Sequence, residues 1–174
     1  MIRIISGNLK GRKLANINVD ILRPTKAIVR KSIMDSIRLF NDKKVLDLFS
    51  GVGTLGIEAM SRGAKEVVFV EKNYRVIKIL EENIERCNLI NSSSIIKTDV
   101  ISYLKNENRK YDIIFADPPY RSYPFKEIFP KVSTLLNNNG IFCYESNKQN
   151  IDIDEVLKIK YYGNTQVVLW ENRK

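Results

Sequence analysis

From Lys44 onward, short apolar runs alternate with stretches of helical periodicity. Val45–Phe49, Glu66–Glu71, Ile95–Asp99, Tyr111–Ala116 and Gly140–Glu145 are rich in Val, Ile and Phe and predict buried strands. Between them, Leu55–Ser61, Arg75–Cys87, Val100–Asn106 and Phe125–Leu136 predict helices. In the second of these, Val76, Ile77, Leu80 and Ile84 form one apolar stripe. Strand–helix alternation with short loops predicts an α/β fold, a parallel sheet covered on both faces. The end of the chain differs. Val156–Tyr162 and Thr165–Glu171 flank Gly163-Asn164 with no helix between them, which predicts a hairpin and a sheet that becomes mixed at its edge. Upstream, Arg3–Ile5 and Arg12–Ile17 suggest a small hairpin. Thr25–Phe40 then reads as a helix, with Ile28, Ile33, Ile37 and Phe40 as core contacts. The pattern divides the chain into an extension over 1–43 and a main domain over 44–174.

The segment Val45–Ala59 is a strand, a glycine turn and a helix start, with Gly51, Gly53 and Gly56 spaced G-x-G-x-x-G. Glycines there allow a tight turn and close approach of main-chain N–H groups to a ligand, and the helix N-terminus favours an anion. Glu71 ends the next strand, where a carboxylate can accept hydrogen bonds from both hydroxyls of a ribose. These features suit NAD and S-adenosylmethionine (SAM) equally. Two carboxylates favour SAM. Asp47 lies inside the first strand, where an unpartnered carboxylate is costly; the aminium of SAM or loop N–H groups would serve it, and so would a loop-bracing role. Asp99 ends the third strand, where it could meet the adenine amine while the Val100 N–H meets a ring nitrogen. It could equally cap the following helix.

Asp117-Pro118-Pro119-Tyr120 follows the strand Tyr111–Ala116. Successive prolines fix φ and lack N–H groups, so the backbone is rigid and its carbonyls are free. A carboxylate beside a free carbonyl can accept both hydrogens of an exocyclic NH2 and aim its lone pair, while the adjacent aromatic ring stacks on the base. That geometry suits in-line attack on a sulfonium methyl and requires neither histidine nor metal.

Composition narrows the classes further. The 174 residues are 44% apolar and 28% charged, as in one soluble domain, and no apolar run approaches the roughly 20 residues of a membrane helix. No apolar h-region follows the N-terminus, so neither a secretory signal nor a membrane location is expected, and the cytoplasm is. Cys87 and Cys143 read as buried apolar residues. The absence of histidine excludes Ser-His-Asp and Cys-His catalysis and His metal ligation. Residues 1–44 hold 11 Lys and Arg against 3 Asp and Glu, while the remaining 130 hold 18 against 17. Nearly all of the +9 net charge thus sits in the first quarter, which points to a nucleic-acid partner. Arg12, Lys13, Arg23 and Arg30 are the expected phosphate contacts; a solvated basic face is the alternative.

The combination of D-P-P-Y and F-x-G-x-G resembles the amino-methyltransferases that act on exocyclic amines of nucleic-acid bases. The whole chain resembles the RsmD family. Arg3–Gly7 with Lys10–Leu14 is similar to its opening, and Arg23-Pro24-Thr25 with Val29-Arg30 to its R-P-T-x-x-x-V-R element. Asp47–Glu58 is similar to its SAM loop, and Tyr144-Glu145 with Tyr162-Gly163 to its final strands. The resemblance implies a Rossmann-like SAM-dependent methyltransferase with a seven-stranded mixed sheet, methylating N2 of guanine 966 in 16S rRNA, free or in the assembling small subunit; no metal is called for, and with no oligomer implied a monomer is expected. It implies cofactor binding by Asp47, Phe49, Ser50, Gly51, Gly53, Glu71, Lys72, Asp99 and Val100. Catalysis falls to Asp117, Pro118, Pro119 and Tyr120. Val52 departs from the family's usual Ser or Thr, and Lys31 stands where an acid is common. A DNA amino-methyltransferase would share both motifs; an NAD-dependent oxidoreductase would leave D-P-P-Y and the basic arm idle.

Overall fold

Five of the predicted strands form the parallel part of one sheet in the computed structural model, which describes residues 2–16, 26–119, 123–151 and 156–173. After a short hairpin of β1 (Ile2–Arg3) and β2 (Lys13–Leu14) comes α1 (Ala27–Ile37). The alternating units follow: β3 (Lys44–Leu48), α2 (Thr54–Ser61), β4 (Glu66–Glu71), α3 (Tyr74–Arg86), β5 (Ser93–Lys97), α4 (Val100–Asn106), β6 (Tyr111–Ala116), α5 (Phe125–Leu135) and β7 (Leu136–Asn147). A closing hairpin adds β8 (Val156–Tyr162) and β9 (Thr165–Glu171). The order across the sheet is β5-β4-β3-β6-β7-β9-β8, parallel through β7 and antiparallel after it.

Because successive strand residues face opposite sides, each apolar run feeds two cores. Val45, Val67, Phe69, Ile113 and Phe115 face α1, α2, α3 and the N-terminal hairpin. Leu46, Leu48, Val68, Val70 and Ile114 face α4 and α5. The chain leaves β3 for β4 and β5 on one side, then crosses to lay β6 against its other side. Ligands of such sheets bind at this reversal, outside the carboxyl ends of the strands.

Several expectations shift. The helix α1 is shorter than predicted, because Arg38 adopts a left-handed φ of 62° and ends it. Its buried stripe is Val29, Arg30, Ile33, Met34 and Ile37, whereas Ile28 is 66% exposed, so Ile28 is no core contact. The third strand, expected at Ile95–Asp99, is displaced by two residues, since Asp99 caps α4 rather than extending the sheet. β7 begins at Leu136, four residues before Gly140, with a register shift opposite Tyr111–Ile113 that the three asparagines Asn137–Asn139 conceal. Both cysteines are buried free thiols, as expected. Arg23, Pro24, Thr25 and Tyr120 lie outside the described residues.

Candidate active site

At the end of β3 the backbone reverses through a series of left-handed positions, Phe49 (φ 58°), Gly51 (54°) and Gly53 (86°), and Gly53 is the cap from which α2 starts. Ser50 is buried, its N–H donating to the Val70 carbonyl at 3.1 Å. Gly56 serves a different purpose from the turn glycines. A Cβ there would fall 2.3 Å from the Phe69 ring, so its absence lets α2 lie against β4.

Asp47, 2% exposed, accepts the Gly56 N–H at 2.9 Å and thereby ties the middle of β3 to the first turn of α2. Burial pushes its carboxyl up to about 8; the Gly56 N–H opposes the rise, while the charges of Asp117 and Glu71 add to it. This is the loop-bracing role. It leaves a carboxyl next to the turn whose ionisation an added cation would favour.

Glu71 is also braced. Its Oε2 accepts the Gly51 N–H at 3.1 Å, and its Oε1 accepts those of Lys72 and Asn73 at 2.9 and 2.8 Å. A carboxylate offers about four acceptor sites. Glu71 therefore fixes the glycine turn to the end of β4 and keeps capacity on Oε2 toward the turn. Asp99 caps α4 through Oδ1, which accepts the Ile101 N–H at 2.9 Å. Its Oδ2 accepts the Tyr123 hydroxyl at 2.6 Å and the Lys72 ammonium at 3.2 Å. The Tyr123 hydroxyl, followed by Lys72, holds the Asp99 carboxyl below its ordinary range. Val100 begins α4 with its side chain in the core.

Leu48 pairs with Ala116, so Phe49 and Asp117 are the next residues on adjacent strands. Asp117 is half-buried and engaged in an interaction of its own, Pro118 is buried and Pro119 is exposed. The structure thus brings the glycine turn, Glu71, Asp99 and Asp117-Pro118 to one end of the sheet. It is a row of strand-end carboxylates flanking a turn, able to accept hydrogen bonds from a ribose, an exocyclic amine and an ammonium.

The N-terminal residues are attached to this site more closely than the charge pattern suggested. Glu58 of α2, with no exposure, accepts the N–H groups of Ile5 and Ser6 at 2.8 and 3.0 Å, and its Oε1 lies 3.2 Å from Arg62 Nε. Asn83, equally buried in α3, exchanges hydrogen bonds with Ala15 and donates to the Val52 carbonyl at 3.0 Å. Arg30 corrects an expectation. Instead of meeting phosphates it is 3% exposed, donates to the Arg3 carbonyl at 2.7 Å and faces Glu58. Arg12 and Lys13 are exposed, and the Arg12 guanidinium also donates to the Arg86 carbonyl at the end of α3.

The sequence pattern alone does not single out Glu58, Asn83 or Tyr123. Asn83 carries a signal, a polar residue interrupting the apolar stripe of α3. Glu58 and Tyr123 sit beside the motifs without a partner to suggest a role.

A family model described as Conserved hypothetical protein 95 matches residues 2–171. Ribosomal RNA small subunit methyltransferase D of Buchnera aphidicola subsp. Acyrthosiphon pisum is 37% identical over 155 residues, 86% of this chain and 81% of that one. The solved structure of yhhF from Escherichia coli superposes with a TM-score of 0.88 at 27% identity, covering 98% of this chain and 97% of that one. An RNA methyltransferase from Salinibacter ruber, solved with S-adenosyl-L-homocysteine, shares the fold at 13% identity and a TM-score of 0.71, over 87% of this chain and 95% of that one.

Proposed function

The chain belongs to the RsmD family, to which the conserved hypothetical protein 95 model corresponds, and we propose that it transfers a methyl group from SAM to the exocyclic N2 amine of a guanine in 16S rRNA, the position corresponding to 966. The observation that carries this reading is the placement of Asp117-Pro118 directly beside Phe49 and the glycine turn, at the strand-order reversal of a methyltransferase fold. A target amine and a SAM molecule bound at these neighbouring strand ends would adjoin each other.

The residues present fit SAM. Glu71 retains one acceptor site, on Oε2, for a ribose hydroxyl, Asp99 is a carboxylate to which an adenine amine can donate, and the Asp47 carboxyl, raised by burial, gains from a nearby aminium. When bound, SAM supplies an electrophilic methyl on a sulfonium centre. The chain's part is positioning. Asp117 and the Pro118 carbonyl accept the two hydrogens of the amine, reduce its conjugation with the base and direct the nitrogen lone pair; Pro119 keeps that backbone rigid, and Tyr120 stacks on the guanine. The base leaves its local stack to enter. The secondary amine formed carries the extra proton and releases it to water, so no strong base is required.

Residues 1–43 act in this reading as the RNA-contacting extension of the domain over 44–174, with Arg12, Lys13 and Arg23 toward the phosphate backbone. The test is transfer of labelled methyl to unmodified small-subunit particles by the wild type and by Asp117→Ala. The variant should lose on the order of 100-fold or more in rate, since it lacks hydrogen bonds made in the transition state. Its affinity for S-adenosylhomocysteine (SAH) should stay within about twofold, because Asp117 faces the amine. Near-normal turnover by the variant would refute the assignment.

A further inference from the structure

Asp99 Oδ2 already carries two donors, the Tyr123 hydroxyl at 2.6 Å and the Lys72 ammonium at 3.2 Å, and Lys72 also donates to the Tyr123 oxygen at 2.9 Å. Oδ1 accepts the Ile101 N–H as the cap of α4, and Oδ2 is the oxygen that faces Tyr123 and Lys72. The Tyr123 ring lies 4.7 Å from that of Phe49, so one side chain spans from the end of β3 to the carboxylate that follows β5. Its main chain is held separately, the Tyr144 hydroxyl donating to the Tyr123 carbonyl at 3.0 Å. The side chain can therefore turn while the backbone keeps its tie to β7.

We propose that Tyr123 is a specificity-determining positioning residue of the cofactor site, its hydroxyl occupying Asp99 Oδ2, the oxygen that an adenine amine takes over on binding. The inference rests on the reading above that Asp99 receives the adenine of SAM. A carboxylate oxygen accepts two hydrogen bonds comfortably, so a third donor at Oδ2 displaces one of those present. The amine is a neutral donor, and so is the hydroxyl. Exchanging one for the other leaves the Lys72–Asp99 charge pair intact, whereas displacing Lys72 would forfeit it. A purine with hydrogen at position 6 offers no donor for the exchange and leaves Tyr123 where it is. The hydroxyl thus discriminates: only a ligand able to replace its hydrogen bond engages Asp99.

A binding cycle tests this with two proteins, wild type and Tyr123→Phe, and two ligands, SAH and its 6-deamino analogue, by calorimetry. Loss of the competing hydroxyl should tighten SAH binding by about 3- to 10-fold, the worth of one hydrogen bond. The analogue should bind both proteins within about twofold. Equal factors for the two ligands would make Tyr123 a mere wall of the site and overturn the proposal, as would unchanged or weaker SAH binding by Tyr123→Phe. Failure of the wild type to bind SAH at all would overturn the cofactor reading beneath it, and the proposal with it.

Discussion

Arg30 Nε lies 3.9 Å from Glu58 Oε2, and neither residue is exposed to more than a few per cent. Arg30 belongs to α1 and Glu58 to the helix that begins at the glycine turn, so the pair joins the basic N-terminal residues to α2. The same carboxylate receives the N–H groups of Ile5 and Ser6, and Ser61, one turn on, receives that of Leu9 at 3.0 Å. The extension is a clamp on α2 before it is anything else.

Glu58→Ala leaves the buried Arg30 guanidinium without the carboxylate charge that faces it and the N–H groups of Ile5 and Ser6 without their acceptor. The expected loss is on the order of 3–5 kcal/mol of folding stability, read by urea denaturation. Arg30→Met should cost less, since Glu58 keeps Arg62 and both N–H groups. A variant at Arg30 that weakens RNA binding with no change in stability would return it to the phosphate contacts.

Asp47 sets a pH dependence. Its folded-state carboxyl, at about 8, lies above its ordinary value of 3.8, so the native chain holds a proton that the unfolded chain has released throughout that interval. The stability it contributes is present in full below the lower value and falls as pH rises toward the upper one, by at most about 1.4 kcal/mol per pH unit. Asp47→Asn cannot ionise yet can still accept the Gly56 N–H. Relative to wild type, the variant should gain stability steadily from about pH 4 to pH 8, measured by denaturation at each pH; a constant difference would contradict the assignment.

The exposed cations of the extension carry a separate expectation. Replacing Arg12 and Lys13 together by Ala should weaken RNA binding and lower the slope of log affinity against log salt by about 0.7–0.9 for each phosphate no longer neutralised. Arg12 also donates to the Arg86 carbonyl at the end of α3, worth about 0.3–1 kcal/mol, so a small drop in melting temperature should accompany it. Unchanged RNA affinity and salt slope with that small drop would make Arg12 and Lys13 structural only.

The central strands are legible because they are buried on both faces and read as continuous apolar runs; β4 and β6 begin and end where expected. So is the closing hairpin of β8 and β9, but the β5 edge is less so. Ser93 and Ser94 enter β5 through main-chain pairing with Val67 and Val68, which composition does not announce. The site shows the opposite pattern: its carboxylates stand out in the sequence, but their partners do not. Asp47, Glu71 and Asp99 each spend acceptor capacity on nearby N–H groups, a property of backbone geometry rather than of residue type. Arg30 reads as a phosphate contact because a buried cation and a solvated one look alike until Glu58, 28 residues away, is brought beside it.

Nucleoside mapping by mass spectrometry tests the central claim most directly. Small-subunit particles lacking the modification, incubated with the protein and SAM, should gain one methyl group, on N2 of a single guanine in 16S rRNA. Particles incubated with Asp117→Ala should gain essentially none. A methyl group on another atom or another base, or the same product from both proteins, would contradict the account.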